Sequence, residues 1–228
     1  MERVSKVLLR TSVVFLSLSI VFISCSVPVS SFQTPNDVAD MRATVYMNDN
    51  SSVLAYMSLN TKETDDIQLR IPPNRRTETI HVDSIKGYEL ETGYYARKYL
   101  NQGDQLFGFV HAQPRGYSFV KQLTPQDYEM NVFEHIIKVK EQKSPLMTTQ
   151  KKYYIEVPGA KDTIWSLQSN YIKKQLQPVE LALKEQAQSD EALRTSLQKL
   201  QRIPDRVNYM MQLAKLYQVY IVHKQRPA

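Results

Sequence analysis

Hydrophobic and polar residues alternate along most of the chain between residues 42 and 157, which is the pattern of half-buried β-strands. The run Ile67–Ile71 alternates strictly and ends at Pro72-Pro73. Comparable runs separated by turn-forming residues predict eight or nine short strands. They lie at 43–47, 53–59, 67–71, 79–82, 94–99, 106–110, 117–123, 131–139 and 152–157. Such a series is typical of antiparallel proteins, so we expect a sandwich, a meander or an open barrel.

The last third of the chain changes to a helical period. Asp162-Thr163 is suited to cap a first helix, and Pro178 is suited to the first turn of a second. The three predicted helices span about 164–176, 178–202 and 206–223. Because Pro204 separates the last two, they should form an antiparallel C-terminal helical hairpin. The predicted fold class is therefore α+β, with a β-rich domain followed by helices.

The third predicted helix carries a wide apolar face, which has two interpretations. It can pack on the sheet and on the preceding helix, or part of it can dock another protein. Methionine adapts to irregular surfaces, and tyrosine combines an apolar ring with a polar hydroxyl. The candidate partner-binding residues are Met210, Met211, Tyr217 and Tyr220.

The first 24 residues have the composition of a secretory signal peptide. Three basic residues among the first ten are followed by an apolar run from Thr11 to Ile23. As a helix these 13 residues would be roughly 20 Å long, against a hydrocarbon core of ~30 Å. The run is therefore short for a membrane span. It ends beside Cys25, the only cysteine of the chain.

The sequence Phe22-Ile23-Ser24-Cys25 resembles the lipobox of bacterial lipoproteins. The resemblance covers about a tenth of the chain, and Phe22 replaces the usual leucine or other aliphatic residue. It implies cleavage between Ser24 and Cys25, acylation of the cysteine and attachment to membrane lipid, which favours the outer membrane. Plain secretion and a retained N-terminal anchor are the alternatives.

This resemblance divides the chain into four parts. Residues 1–24 are the cleaved signal peptide, and residues 25–41 are the lipidated cysteine with a Ser- and Pro-rich flexible tether. Residues 42–160 are the β-rich domain, and residues 161–228 are the helical region. Removing the signal peptide leaves 204 residues, enough for one substantial domain or two small ones.

The composition argues against several classes of function. The net charge is +6, and the first 24 residues contribute three basic and one acidic residue to it, so the remainder carries only +4. The absence of a basic run gives no support for nucleic-acid binding. With six glycines the sequence also has no G-x-G-x-x-G or Walker-type loop. The 14 tyrosines suit both half-buried strands and binding surfaces.

No catalytic or metal-binding motif stands out in the sequence. His81, His111 and His135 would have to converge across a sheet to bind zinc, and scattered histidines are usually isolated side chains. There is no G-x-S-x-G nucleophile motif. We therefore predict no enzymatic activity, cofactor or bound metal. Trp165, the only tryptophan, either stacks on a ligand such as a sugar ring or fills the core.

Two tripeptides, Asp83-Ser84-Ile85 and Asp162-Thr163-Ile164, resemble an acceptor sequence for O-glycosylation of exported proteins in Bacteroidota. The resemblance implies Ser84 and Thr163 as modification sites. Asp162-Thr163 has an alternative explanation as a helix cap.

These features predict a lipid-anchored cell-envelope protein that is a non-catalytic binding or scaffolding subunit of an outer-membrane or periplasmic assembly. Its partners would be membrane lipid and an envelope protein. A surface-exposed ligand- or glycan-binding lipoprotein is the alternative, and an envelope hydrolase is the third hypothesis.

Overall fold

The computed structural model describes residues 38–59, 66–73, 76–101, 116–140, 147–160 and 162–225. These residues form ten strands, one short 3-10 helix at Val82–Ser84 and three α-helices. The strands are β1 Val38–Met47, β2 Ser52–Leu59, β3 Asp66–Ile71, β4 Arg76–His81, β5 Ile85–Leu90, β6 Gly93–Asn101, β7 Gly116–Gln122, β8 Asn131–Lys140, β9 Met147–Glu156 and β10 Thr163–Ser166. The helices are α1 Ile172–Gln186, α2 Glu191–Leu200 and α3 Arg206–Gln225.

All ten strands belong to one sheet, in the order β10-β9-β8-β7-β6-β5-β1-β2-β3-β4. Strand β10 pairs with β9, and it also pairs in parallel with Tyr99–Asn101 of β6. Strands β6 to β10 therefore close into a five-stranded barrel. The remaining five strands extend from the barrel as an open sheet that ends at β4.

Strands β6 and β7 supply side chains to two separate cores. Tyr95 and Phe119 belong to the core of the open sheet, whereas Ala96 and Val120 belong to the interior of the barrel. Successive side chains of a strand point to opposite faces of the sheet. The two faces of β6 and β7 thus serve two apolar interiors.

The helices pack on the outside of the barrel, over β8 and β9. Val132 and Ile155 lie in one buried cluster with Leu183 of α1, Leu200 of α2 and Leu213 of α3. Burial of these apolar side chains stabilises the helical region against the barrel. The inward-facing residues of the same strands, such as Phe133, belong to the barrel interior instead.

The α+β class is confirmed, but several details of the prediction are wrong. The barrel is closed by β10, whose residues 163–166 were assigned to the start of a helix. Residues 178–202 do not form one helix, because Asp190 caps a new helix by accepting a hydrogen bond from Leu193 N at 3.0 Å. Pro178 lies inside α1 rather than in a first turn. The C-terminal region thus contains three helices, as predicted, but the first two have different bounds.

Other boundaries also differ from the sequence prediction. Strand β5 was not predicted, and β1 begins at Val38, inside the predicted tether of residues 25–41. The signal peptide, Ser24, Cys25, His111 and the strand expected at 106–110 lie outside the described residues. Helix α3 agrees with its predicted range.

Candidate functional site

Strand β6 changes its neighbour along one edge halfway through its length. Gly93–Ala96 pairs with β5, whereas Tyr99–Asn101 pairs with β10. Arg97 and Lys98 lie between these two stretches, where β5 and β10 diverge. A cavity of about 450 Å³ opens here, and we call it the fork cleft. Its lining includes Lys86, Tyr94, Arg97, Lys98, Glu156 and Asp162.

The two consecutive cations Arg97 and Lys98 form ion pairs with different sides of the cleft. Lys98 Nζ lies 2.6 Å from Glu156 Oε1 and 3.5 Å from Asp162 Oδ1. Arg97 pairs with Asp83, and its guanidinium lies 4.0 Å from the centre of the Tyr117 ring. Only 15% of the Arg97 side chain and 14% of the Lys98 side chain are exposed. These pairs hold charge in place beside the opening.

The cleft is close to electrically balanced. Three cations, Lys86, Arg97 and Lys98, and two carboxylates, Glu156 and Asp162, line it, and a third carboxylate, Asp83, pairs with Arg97 but is not a lining residue. Lys86 Nζ also donates a hydrogen bond to Asn50 Oδ1. Partly buried charges are stable when each has an opposite charge and hydrogen bonds nearby.

One wall of the cleft is fixed by a network of amides. Gln122 Nε2 donates to Asn131 Oδ1 at 2.9 Å, and Thr124 Oγ1 donates to the same oxygen at 2.8 Å. Asn131 Nδ2 in turn donates to the Tyr128 carbonyl oxygen at 2.8 Å. This satisfied network orders the wall of the cleft without a bound ligand.

Tyr94 lies at the side of the cleft nearest to the open sheet. Its ring packs edge-on against Tyr46 at 5.7 Å, and Tyr46 donates a hydrogen bond to Glu89 at 2.8 Å. Burial raises the pKa of Tyr94 to about 12. Gly87 leaves room for this ring, because a Cβ there would lie 2.6 Å from the Tyr94 hydroxyl.

A second polar group lies inside the barrel. Ser118 Oγ and His135 Nε2 are 3.1 Å apart, and both residues are almost completely buried. Lys152 is opposite His135 in the register and faces the same side of the sheet. Burial lowers the pKa of Lys152. None of the three is among the residues that line the fork cleft, although Ser118 lies opposite Lys98 in the register of β6 and β7.

The candidate docking residues of α3 differ in their burial. Met210 is only 5% exposed and lies in the core, so it does not contribute to the surface. Met211, Tyr217 and Tyr220 are half-buried and pack against the same core. Met210 is therefore not available to dock another protein, because it packs in the core between the helices and the barrel.

Trp165 is also placed by the core rather than by the cleft. It lies in β10 opposite Ile155, is half-buried and packs against the cluster between helices and barrel. Its indole Nε1 is buried and has no hydrogen-bond partner among the described residues. Trp165 does not line the fork cleft.

The two proposed glycosylation tripeptides occupy related positions at the fork. Asp83 and Asp162 provide ion pairs to Arg97 and Lys98, and the isoleucines at 85 and 164 are fully buried. Ser84 is exposed at the end of the 3-10 helix. Thr163 is half-buried and belongs to the β10 ladder. The shared pattern thus has a structural explanation, in which each aspartate lies shortly before a strand that pairs with β6.

The histidines of the described chain are dispersed. His81 is on the edge strand β4, His135 is inside the barrel and His223 is near the end of α3. Across the described ranges, no three His, Cys, Asp or Glu side chains are placed to hold a metal ion. No described helix is long and apolar enough to cross a membrane.

Comparisons with protein families, curated proteins and solved structures found no match to this chain. The assignment of the site therefore rests on geometry alone.

Sequence reasoning missed the fork, although one signal was present. Lys98 lies between Ala96 and Leu100 on the same face of an alternating strand, and a lysine among inward-facing apolar positions indicates a special environment.

Proposed function

We propose that this chain is a lipid-anchored protein of the bacterial cell envelope that acts by binding, without catalysis. The lipobox-like sequence that ends at Cys25 supports the anchor. Twelve residues separate Cys25 from Val38, where β1 begins. Fully extended, they reach about 40 Å, so the folded body would remain near the membrane surface, which we propose is that of the outer membrane.

The fork cleft is the observation that carries the binding role. Its cavity of about 450 Å³ falls within the roughly 300–1,000 Å³ range of ligand sites. Charged side chains are positioned at its opening by ion pairs, and amides fix one wall. Such a preorganised polar opening can bind a ligand with little loss of side-chain entropy.

A second candidate function is scaffolding in an outer-membrane or periplasmic assembly, and the end of α3 favours it. Val219 and Val222 are 47% and 41% exposed. The helix Arg206–Gln225 contains no acidic residue and ends with His223 and Lys224. An envelope protein with an apolar, acidic surface would complement this end of the helix.

Isolation of the full-length chain from membranes solubilised in a non-ionic detergent tests the proposed function. Wild type should begin with an acylated Cys25 by intact-mass measurement, and Cys25→Ala should leave the membrane fraction. A protein partner that is lost with Val219→Lys and retained with Glu156→Gln would support scaffolding. A mass that retains Met1, or that begins after Cys25 without fatty acids, contradicts the anchor.

Protease added to intact cells separates the two roles further. Digestion of the folded body would favour capture of an external ligand, whereas protection would favour a periplasmic assembly. Catalytic turnover that is abolished by a substitution at the cleft would contradict a purely binding role.

A further inference from the structure

We infer that the fork cleft binds an uncharged ligand rich in hydroxyl groups, that is, a saccharide. This inference rests on the proposed binding function and names the ligand class of the same site. Three features of the cleft support it: its charge balance, its mixture of donors and acceptors, and its fixed shape.

The charge balance disfavours an ionic ligand. Lys98 already contacts two carboxylates, and Arg97 is paired with Asp83. An anion at Arg97 or Lys98 would compete with these carboxylates, and a cation would compete with Lys98. Either would leave a partly buried charge without its partner, which is strongly unfavourable. An uncharged ligand leaves every ion pair intact.

The donors and acceptors of the cleft match hydroxyl groups. An ammonium has three donors, and Lys98 Nζ donates one hydrogen bond to Glu156 and lies 3.5 Å from Asp162, so it can also donate to a ligand. A carboxylate has about four acceptor sites, so Glu156 and Asp162 can accept further hydrogen bonds. Neighbouring hydroxyls of a sugar can donate to a carboxylate and accept from the ammonium at the same time. Hydrogen bonds to charged groups are also stronger than those between neutral groups.

Tyr94 adds the apolar contact that a sugar ring requires. The face of a sugar ring that carries C–H groups packs well on an aromatic side chain, and tyrosine also offers a hydroxyl. Tyr94 is half-buried, lines the cleft and is held by Tyr46. Because these groups lie on paired strands, the cleft needs no large rearrangement to receive a compact ligand.

Calorimetric titration of the full-length protein tests this inference. The detergent must have no sugar head group, because an alkyl glycoside would compete for the cleft. The probes are neutral oligosaccharides of glucose, mannose, galactose and N-acetylglucosamine, with matched uronates, sugar phosphates and inorganic phosphate. Short uncharged peptides form a further arm.

Asp162→Asn and Tyr94→Phe are the test variants, because the first removes a negative charge, the second removes a hydroxyl, and each keeps the shape of its side chain. Asp162 is 68% exposed, so its substitution should leave the fold intact. Each variant should weaken binding of a neutral oligosaccharide by about tenfold, the effect of one lost charge-assisted or neutral hydrogen bond. Glu78→Gln, on the edge strand β4, is the control and should bind like wild type.

The outcomes separate the ligand class from the proposed function. Neutral saccharide binding that weakens in both test variants and persists in the control supports the inference. Tighter binding of phosphate, uronates or peptides, sensitive to Asp162→Asn, would overturn the saccharide and retain the cleft as a binding site. Saccharide binding that neither variant changes would overturn the location. No binding by any probe would overturn the inference, while isolation from membranes would still decide the scaffolding role.

Discussion

Lys98 on β6 and Glu156 on β9 form an ion pair of 2.6 Å, and only 14% of each side chain is exposed. The two strands are not neighbours at this point, since β10 lies between them in the closed sheet. The pair therefore connects strands that backbone hydrogen bonds do not connect directly. It combines a structural role in the barrel with the proposed role in the fork cleft.

Removal of one partner should destabilise the protein because the other charge remains partly buried. We expect Glu156→Gln to lower the free energy of unfolding by about 2 kcal/mol. Urea denaturation of the full-length chain measures this change. Glu191→Gln is the control, because its 2.8 Å pair with Arg194 is well exposed and should contribute less than about 0.5 kcal/mol. Equal effects of both substitutions would contradict a special role for Lys98 and Glu156.

Gly87 is required by the close packing of β5 against β6. A Cβ at this position would lie 2.5 Å from the Tyr95 carbonyl oxygen, and backbone cannot move aside easily. Gly87→Ala should therefore lower the free energy of unfolding by about 1–3 kcal/mol. Thermal and urea denaturation would detect this loss.

Gly159→Ala provides a comparison for that substitution. Gly159 has a φ of +81° and no atom within 4 Å of the added Cβ, so only backbone strain opposes alanine there. We expect a cost of about 1 kcal/mol from this strain. If the free energy of unfolding of Gly87→Ala equalled that of wild type, this result would contradict the close packing of Tyr94 and Tyr95 around Gly87.

Tyr154 should make the protein sensitive to alkaline pH. Burial in the barrel raises the pKa of its hydroxyl from 10.0 to about 12. The folded state therefore holds this proton more tightly than the unfolded state. The resulting stability is complete below pH 10 and is lost as the pH rises from 10 through about 12.

The unfolding free energy measured at a series of pH values tests this expectation. Wild type should lose about 2 kcal/mol more than Tyr154→Phe between pH 10 and pH 12. The variant lacks the ionisable hydroxyl but keeps the ring. Identical pH profiles for both proteins would show that the hydroxyl of Tyr154 titrates alike in the folded and unfolded states.

Trp165 should report on the core between helices and barrel, not on ligand binding. It is the only tryptophan, so intrinsic tryptophan fluorescence arises from this one position. We expect saccharide binding to leave its emission unchanged and Trp165→Phe to leave the affinity unchanged, because Trp165 does not line the cleft. A large change of emission on adding a saccharide would instead favour stacking on Trp165.

The local pattern predicted most strands, and it is clearest where a strand buries only one face. Ile67 and Leu69 are fully buried, whereas Gln68 is exposed, as strict alternation requires. The pattern failed at β10, where Asp162-Thr163 has the composition of a helix cap. In the structure Asp162 has a positive φ of 58° and the next residues pair with β6 and β9. Tertiary pairing overrides local preference there.

The fork could not be predicted because it depends on contacts between distant parts of the sequence. Thr163 pairs with Tyr99, and Lys98 reaches Glu156. Local periodicity contains no information about such pairs. Only the unusual position of Lys98 on an inward-facing row was visible in advance.

Burial on both faces of β6 and β7 limits how the length of these strands can change. Tyr95 and Phe119 serve one interior, and their neighbours Ala96 and Val120 serve the other. Insertion or deletion of a single residue within either strand would exchange the contents of both interiors at once. We therefore expect related sequences to show size-matched substitutions in this segment but no insertions or deletions. The barrel and the open sheet would then be inherited together as one unit.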